Sequence, residues 1–255
     1  MPVPPFPEVS TSTNQDVSAN ELLDALNEAQ RYLMEQKDLF GNTVYIGEKP
    51  KSAPSAAEME FRYPQENWVS SVSLDELDGN ICVCLKCPLG QTRTKFVFGV
   101  GNPHADVMFI GEAPGADEDA QGEPFVGRAG QLLNKIIEAV QMKREDVYIC
   151  NILKCRPPNN REPQQSEMET CTPYLYKQIE LVKPKFIICL GRISAQWMLQ
   201  TNETLTALRA RVHDYHGIKL IVTYHPAALL RNPNWKRPAW DDMKMFRKMY
   251  DEMKA

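Results

Sequence analysis

The chain has 255 residues, 43% of them hydrophobic, and no run approaches the roughly 18 apolar residues that a membrane-spanning helix needs. This length suits one α/β domain of about 170–200 residues with an appendage. The net charge of −4 is uneven, because residues 1–80 carry 14 acidic and 5 basic side chains while residues 81–255 carry 24 basic and 19 acidic ones. A weakly basic body permits a polyanionic partner but does not by itself indicate one.

The first 80 residues are predicted to be an acidic extension outside the compact domain. Residues 1–18 have the composition of a disordered leader, and the first twenty lack the apolar core of a secretory signal peptide. A loose apolar stripe predicts a helix over residues 21–40, and residues 43–80 have the composition of a linker. We therefore expect a cytoplasmic protein, with the nucleoid or the nucleus as alternatives.

The compact domain, residues 81–255, is predicted to alternate strands with helices. Strand-like apolar runs lie at residues 107–110, 147–153, 186–190 and 220–224. Helical patterns lie at residues 130–142, 164–182, 192–200, 204–211 and 240–254. Such alternation predicts a parallel sheet with helices on both faces. Cys150 and Cys189 fall inside strand-like runs, where we expect buried thiols that act as small hydrophobes.

A loop rich in glycine, proline and carboxylates, residues 111–130, joins the first strand-like run to the first helix. A loop in this place lies at the carboxyl end of a strand, where open α/β sheets bind their ligands. The unusual backbone path that the glycines and prolines impose would project acidic side chains and Phe125 toward such a ligand. We therefore expect this loop to form one wall of the functional site.

Clustered cysteines in a chain without a secretory signal indicate metal or redox chemistry rather than disulfides. Cys84 and Cys87 form a C-x2-C pair before a proline, and Cys155 and Cys171 follow as spaced single residues. Four thiolates in this pattern can hold a cubane cluster or a zinc ion. The lack of a second tight pair favours a [4Fe–4S] cluster. Cys82 competes with Cys84, but the C-x2-C spacing favours Cys84.

The cysteines and the loop belong to a longer series of motifs between residues 82 and 250. These are Cys84-x2-Cys87-Pro-Leu, Gly99-x-Gly101-Asn-Pro, Gly111-Glu-Ala-Pro-Gly, Gly122-x-Pro-Phe-Val-Gly-x-Ala-Gly, Asn151-x2-Lys-Cys-Arg-Pro-Pro, Asn160-Arg161, Cys171 and Tyr224-His-Pro-Ala. In order and spacing they resemble the iron–sulfur uracil-DNA glycosylases, family 4 of the uracil-DNA glycosylase superfamily.

This resemblance implies a fold, a cofactor and a reaction. The fold is a three-layer α/β/α sandwich with a short central parallel sheet. A [4Fe–4S] cluster at the edge of the sheet is bound by Cys84, Cys87, Cys155 and Cys171. The reaction is hydrolysis of the bond between uracil N1 and deoxyribose C1′ in single- or double-stranded DNA, which leaves an abasic site.

The uracil pocket is expected to contain three side chains with distinct roles, flanked by Glu112 and Ala113. Phe125 offers a flat face for the pyrimidine. The amide of Asn151 can pair with both N3–H and O4 of uracil, and cytosine reverses that pattern. An imidazole at His225 can donate to O2 and stabilise the departing uracil anion.

The group that activates water stays open between two carboxylates. Ala113 stands where the best-known branch of the superfamily has an aspartate, so the obvious base is absent. Glu112 and Glu118 are the alternatives, and each could orient water or balance the sugar cation. Glu112 could equally be fixed by hydrogen bonds within the loop.

Residues 225–231 resemble the intercalation loop of the family, whose apolar wedge fills the gap left by the flipped base. Leu229 is the expected wedge and Leu230 the alternative. Phosphates are expected to pass Arg231, Lys236 and Arg237. A basic face is expected to include Lys154, Arg156, Arg161 and Arg192.

We expect a monomer whose acidic extension binds a repair or replication partner, shields the basic face or acts as a tether. The alternative function is a non-catalytic or covalently cross-linking iron–sulfur protein that binds uracil-containing DNA. The compact segment from Asn151 to Cys171 lacks the inserted basic loop of the cross-linking branch, and the three pocket residues are all retained. Both observations disfavour this alternative.

Overall fold

A computed structural model describes residues 66–255, so the predicted leader and the helix over residues 21–40 lie outside the described part. Its centre is a six-stranded sheet in the order β1-β3-β2-β4-β6-β5. The strands are β1 (Val100–Gly101), β2 (Val107–Gly111), β3 (Tyr148–Asn151), β4 (Phe186–Leu190), β5 (Val212–Tyr215) and β6 (Ile218–Thr223). The four inner strands are parallel, which confirms the predicted sheet, and β1 and β5 add antiparallel edges.

Nine α-helices accompany the sheet in the described residues. They are α1 (Leu74–Ile81), α2 (Leu89–Thr92), α3 (Ala116–Gln121), α4 (Arg128–Ala139), α5 (Gln165–Val182), α6 (Arg192–Leu199), α7 (Leu205–Leu208), α8 (Pro226–Arg231) and α9 (Lys236–Lys254). Within residues 66–255, none is long and apolar enough to cross a membrane. The last helix begins four residues before its predicted start, since Pro238 lies in its first turn, where a missing N–H costs nothing.

Alternate side chains of the inner strands enter two separate cores. Phe109 of β2 packs with residues of α4 and α9 on one face of the sheet, among them Leu133 and Phe246. Ile110 packs on the other face with residues of α1, α5, α6 and α7, among them Leu175. Helices thus cover both faces, and every residue of β2 and β4 is buried, as is usual for parallel sheets. Cys150 and Cys189 are buried here, as predicted.

Residues 66–81 also contact the body of the domain. Trp68 and Leu77 are buried in the same core as α5, and the Trp68 ring meets that of Tyr174 edge to face at 5.1 Å. Part of the predicted linker therefore forms ordered structure against the domain.

The order of the strands determines where a ligand can bind. From β2 the chain passes to β3 on one side, whereas from β4 it passes to β6 on the other side. This reversal opens a crevice at the carboxyl ends of β2 and β4, the usual ligand site of an open α/β sheet. The segments that follow β2, β3, β4 and β6 meet there, and these include the loop of residues 111–130.

Candidate active site

Gly111, the last residue of β2, forms the floor of the crevice. A Cβ atom at this position would lie 2.3 Å from Asn151 Oδ1 and 2.7 Å from Phe125 Cζ. Only glycine fits beneath these two side chains without displacing them. The rings of Phe125 and His225 lie 5.5 Å apart between centroids. The structure therefore brings together the three predicted pocket residues, which are distant in sequence.

Phe125 adopts an unusual backbone conformation for a residue with a side chain. Its φ of 54° is left-handed, and its side chain is only 5% exposed. The backbone of Gly130 approaches closely, since a Cβ atom there would lie 1.8 Å from the carbonyl oxygen of Phe125. Arg144 Nη2 donates to the carbonyl of Pro124 at 2.6 Å and anchors the turn from the other side. Left-handed backbone at bulky residues is concentrated at functional sites, where the surroundings hold it.

Asn151 has a buried oxygen without a hydrogen-bond partner. The residue ends β3, pairs with Gly111 in the sheet and is 2% exposed. Its Oδ1 accepts no hydrogen bond from any described residue. A buried acceptor left unpaired costs about 1–3 kcal/mol, so its retention calls for an explanation. An acceptor aimed into a ligand crevice is suited to a donor on the ligand.

His225 follows β6 and caps the short helix α8. The backbone N–H of Ala227 donates to His225 Nδ1 at 3.2 Å, so the neutral ring carries its proton on Nε2. Desolvation, reinforced by Arg231, lowers the pKa of His225 to about 4. The imidazole is therefore neutral at physiological pH and offers one N–H donor. Gly191, with φ 94°, leaves room for it, because a Cβ there would lie 3.0 Å from that of His225.

Glu112 has a carboxyl group whose pKa lies near neutral pH. Desolvation and, to a smaller extent, the nearby Glu162 raise its pKa to about 7 against the opposing effect of Arg192 and Arg231. Glu162 itself forms an ion pair with Arg192. A carboxyl group with this pKa exists in both protonation states near pH 7, as a general base must.

Glu118, the second predicted carboxylate, holds the loop together. Its carboxylate accepts backbone N–H bonds from Gly115 at 3.1 Å, Val126 at 3.0 Å and Gly127 at 3.1 Å. The bond to Gly115 forms one half of a capping box at the start of α3, and the other half is missing because glycine has no side chain. The same side chain thus ties the start of the loop to the turn that follows Phe125.

The leucines of α8 have the opposite exposure to that expected. Leu229, the expected wedge, is 2% exposed and packs in the core, whereas Leu230 is 37% exposed. The helical period of α8 turns Leu229 inward and leaves Leu230 and Arg231 on the surface. Leu229 therefore cannot enter a DNA duplex from this conformation.

Two cations expected on a basic face are buried instead. Lys154 is 0% exposed, and its Nζ donates to the Asn151 carbonyl at 2.8 Å and to Gln178 Oε1 at 2.5 Å. Arg192 is 4% exposed and pairs with Glu162. Both therefore support the walls of the crevice, and the expectation that they face DNA is wrong. Lys154 directly follows a strand-like run and Arg192 begins a helical pattern, and these sequence features could have indicated burial.

Three of the four predicted cluster cysteines accept hydrogen bonds at sulfur. Tyr174 Oη donates to Cys84 Sγ at 3.3 Å, Arg93 Nη1 to Cys155 Sγ at 3.2 Å, and the Lys154 N–H to Cys171 Sγ at 3.3 Å. Arg93 also donates to the backbone carbonyls of Cys82 and Cys84. Donors of this kind favour thiolate ligands, because they stabilise the charge on sulfur. The Cys82 thiol instead contacts the carbonyl of Gly79 at 3.7 Å.

The four thiols also influence one another. Desolvation raises the pKa of Cys155 to about 11, with further contributions from Cys87 and Cys84. Desolvation likewise raises the pKa of Cys171 to about 12, and Cys155 and Cys87 add to it. Within residues 66–255, no three Cys, His, Asp or Glu side chains group closely enough for a single metal ion.

Comparison with known proteins gives one consistent result. The model of the uracil DNA glycosylase superfamily matches residues 98–251. The type-4 uracil-DNA glycosylase of Archaeoglobus fulgidus is 44% identical over 180 residues, which cover 68% of this chain and 90% of that protein. That of Saccharolobus solfataricus is 42% identical over 192 residues, 72% of this chain and 88% of that protein. A type-5 uracil-DNA glycosylase of Pyrobaculum aerophilum is 30% identical over 146 residues, 51% and 64% of the two chains.

Proposed function

The chain belongs to the uracil DNA glycosylase superfamily, and we infer from its relatives and its pocket that it is a uracil-DNA glycosylase of DNA repair. It hydrolyses the bond between uracil N1 and deoxyribose C1′ and leaves an abasic site. The observation that best supports this function is the unpaired Oδ1 of Asn151. The N3–H of uracil is the donor that this oxygen lacks, and the amide N–H can reach O4.

Cytosine offers the reverse pattern at these two positions. Its N3 is an acceptor and would face Asn151 Oδ1, while its amino group would face the amide N–H. Sites built on buried hydrogen bonds reject such analogues strongly, because their polar groups are left unpaired. The pocket of this chain therefore selects uracil over cytosine through one side chain.

Entry of the base requires it to leave the helical stack. A glycosylase rotates its target nucleotide into the pocket, and the lost stacking must be replaced there. The ring of Phe125 offers a replacement surface, held by its left-handed backbone. Gly111 leaves the floor open beneath the amide of Asn151.

His225 stabilises the charge that develops as the glycosidic bond breaks. The bonding electrons pass to uracil N1 and are delocalised onto O2. With Nδ1 engaged by Ala227, the neutral ring presents Nε2–H as the donor to O2. A ring with a pKa of about 4 is a weak base, so it enters the reaction uncharged. The uracil then leaves as an anion held by a hydrogen bond.

Water completes the reaction at C1′, and we propose Glu112 as the group that orients it. The water oxygen bonds to the sugar cation, and the carboxylate accepts the released proton. Glu118 is disfavoured for this task, because its oxygens already accept three backbone N–H bonds. In its ionised state Glu112 also balances the positive charge of the sugar.

The pH dependence of excision tests the role of Glu112. The pKa of about 7 means that the carboxylate forms as the pH rises through neutrality, so the wild-type rate should rise there. The Glu112→Gln variant should be slower by about 10²-fold and nearly independent of pH between about 5.5 and 8.5. Single-turnover rates measure both effects. A rise with pH that persists in the variant would exclude Glu112 as the titrating group.

We propose that Cys84, Cys87, Cys155 and Cys171 hold a [4Fe–4S] cluster. The donors at three of the sulfurs support thiolate ligands, and the single C-x2-C pair in the sequence favours a cubane over a zinc ion. When bound, the cluster supplies a cross-link rather than a reaction step. It would join the segment before β1 to the loop after β3 and to α5, on which Asn151 and Lys154 depend.

The purified protein should therefore be brown and contain equal amounts of iron and acid-labile sulfide. The Cys171→Ser variant should lose most of both, because one of four ligands is weakened. The Cys82→Ser variant is the matched control, since its thiol faces Gly79, and it should keep its iron. A colourless protein with stoichiometric zinc would contradict the cluster. Dependence on Cys82 instead of Cys84 would contradict the ligand set.

Leu230 replaces Leu229 as the proposed wedge. It is the exposed leucine of α8, and Arg231 beside it is exposed and placed to meet a phosphate. The Leu230→Ala variant should excise uracil from duplex DNA about tenfold more slowly, with little change on single strands, since only the duplex leaves a gap to fill. Paired single-turnover assays on the two substrates measure this difference. Equal losses on both would count against a wedge.

The Leu229→Ala variant separates the two leucines. Because Leu229 is buried, its truncation should lower the free energy of unfolding by about 2–4 kcal/mol. The molecules of this variant that remain folded should excise uracil from duplex and single-stranded DNA in the same ratio of rates as the wild type.

A further inference from the structure

A second cavity, of about 210 Å3, lies between α4, α8 and α9. Its floor is apolar and includes the buried Leu229 and Met243. Trp240, Lys135 and Lys236 also line it, and almost only apolar atoms face the interior. The cavity thus has an apolar interior, with one aromatic side chain and two exposed lysines beside it.

Trp240, on α9, is 41% exposed and is the one aromatic residue among the exposed large apolar side chains of residues 66–255. By contrast, Trp68 is only 4% exposed. An exposed aromatic face beside cations is the arrangement with which proteins bind single-stranded nucleic acids, since every base can stack on it. The position of Trp240 on a long helix holds the indole at a fixed place on the rim.

The charge around the cavity is complementary to phosphate. Lys135 and Lys236 are both exposed, and among the described residues neither forms an ion pair. Asp241, next to Trp240 on α9, is paired with Lys244 at 2.7 Å. The rim is therefore cationic and attracts a polyanion.

Helix α8 connects this cavity to the uracil pocket. His225 caps α8 in the first pocket, and Leu229, four residues later, lines the second. At 1.5 Å per residue these positions lie about 6 Å apart along the helix axis. The two sites are therefore neighbours on the same short helix.

The connection between α8 and α9 is rigid. The ring of Trp235 stacks on that of Tyr224 with centroids 5.0 Å apart and an interplanar angle of 11°. The guanidinium of Arg209 covers the same Tyr224 ring at 4.2 Å. Arg209 also forms a two-bond ion pair with Asp242 of α9. The cavity therefore keeps a fixed place relative to His225.

We propose that this cavity binds the base next to the flipped uridine in unpaired DNA. Trp240 provides the stacking face, and Lys135 and Lys236 meet the adjoining phosphates. The inference rests on the proposed function, because it places the uridine in the neighbouring pocket. At about 210 Å3 the cavity is smaller than the roughly 300–1,000 Å3 of drug-sized ligand sites, which suits a single base. Its apolar floor offers no hydrogen bonds that would distinguish one base from another, so the cavity accepts all four bases.

Binding of a single-stranded oligonucleotide tests the proposal. The probe carries one 2′-fluoro-2′-deoxyuridine, whose electron-withdrawing fluorine resists formation of the sugar cation. Fluorescence anisotropy should show about tenfold weaker binding by Trp240→Ala, which corresponds to about 1.4 kcal/mol. Indole emission should be quenched on binding by the wild type and much less by Trp240→Phe. Met253→Ala is the matched control, because Met253 is 38% exposed on the same helix, and it should bind as the wild type does.

A second probe identifies the base that stacks. An abasic spacer replaces the base on the 5′ or the 3′ side of the fluorinated uridine. At one of these two positions the spacer should weaken wild-type binding about tenfold, with no further loss in Trp240→Ala. Equal losses in the two proteins, or no loss in either, would overturn the proposal.

Uracil release by the same wild-type sample distinguishes the two levels of inference. If the wild type releases uracil at a normal rate but the Trp240 substitutions do not change DNA binding, the second binding site alone is overturned. A folded wild type that releases no uracil overturns the proposed function and, with it, this inference.

Discussion

The Asn151→Ala variant is expected to lose about 10³-fold in the rate of uracil excision, because it lacks both the acceptor for N3–H and the donor for O4. Its free energy of unfolding should nevertheless stay within about 1 kcal/mol of the wild type. The unpaired Oδ1 is a cost to the folded state, and its removal offsets the small cavity that the truncation leaves. Single-turnover kinetics and urea unfolding measure the two quantities.

This pair of measurements separates a recognition residue from a structural one. A structural asparagine would lose stability and activity together. Asn134→Ala is a suitable control, since Asn134 Oδ1 accepts a hydrogen bond from Arg144 at 3.0 Å behind the Phe125 turn. That variant should lose stability without losing discrimination against cytosine. An Asn151→Ala variant with nearly wild-type excision would contradict the proposed recognition of uracil.

The His225→Ala variant is expected to be about 10²- to 10³-fold slower, the usual cost of removing one donor that stabilises a developing anion. It should also lose about 1 kcal/mol of stability, because the ring caps α8. The depressed pKa, about 4, keeps the ring neutral throughout the physiological range. Protonation of His225 should therefore affect the wild-type rate only below about pH 4, as the pH falls through that value.

The His225→Asn variant distinguishes catalysis from capping. An asparagine can accept the Ala227 N–H and preserve the cap, but its shorter side chain cannot reach uracil O2. We expect stability close to that of the wild type and a rate close to that of His225→Ala. Recovery of the full rate by His225→Asn would show that the ring acts only through α8.

The centre of the fold could be predicted because its strands are buried on both faces. β2 and β4 are continuous apolar runs, and burial of every residue explains that pattern. The edge strands could not be predicted for a related reason. β1 has two residues, and only one of the four residues of β5 is buried, so neither produces an apolar signal.

Some features of the candidate site could be predicted from the sequence and others could not. Convergence of Phe125, Asn151 and His225 followed from the family resemblance, since the spacing of these residues in sequence does not show that they meet. The burial of Leu229 was not predicted, because six residues of helix are too few for a period to show which leucine faces inward. The hydrogen bonds of Glu118 to its loop could not be predicted, because two of them depend on tertiary contacts with Val126 and Gly127.

The release of free uracil from a single-stranded oligonucleotide by the purified, iron-loaded wild-type protein is the most direct test of the central claim. We predict multiple turnovers that yield uracil and an alkali-labile abasic site, and no release of cytosine from a matched oligonucleotide. A folded protein that retains its iron yet binds uracil-containing DNA without releasing the base would contradict the account.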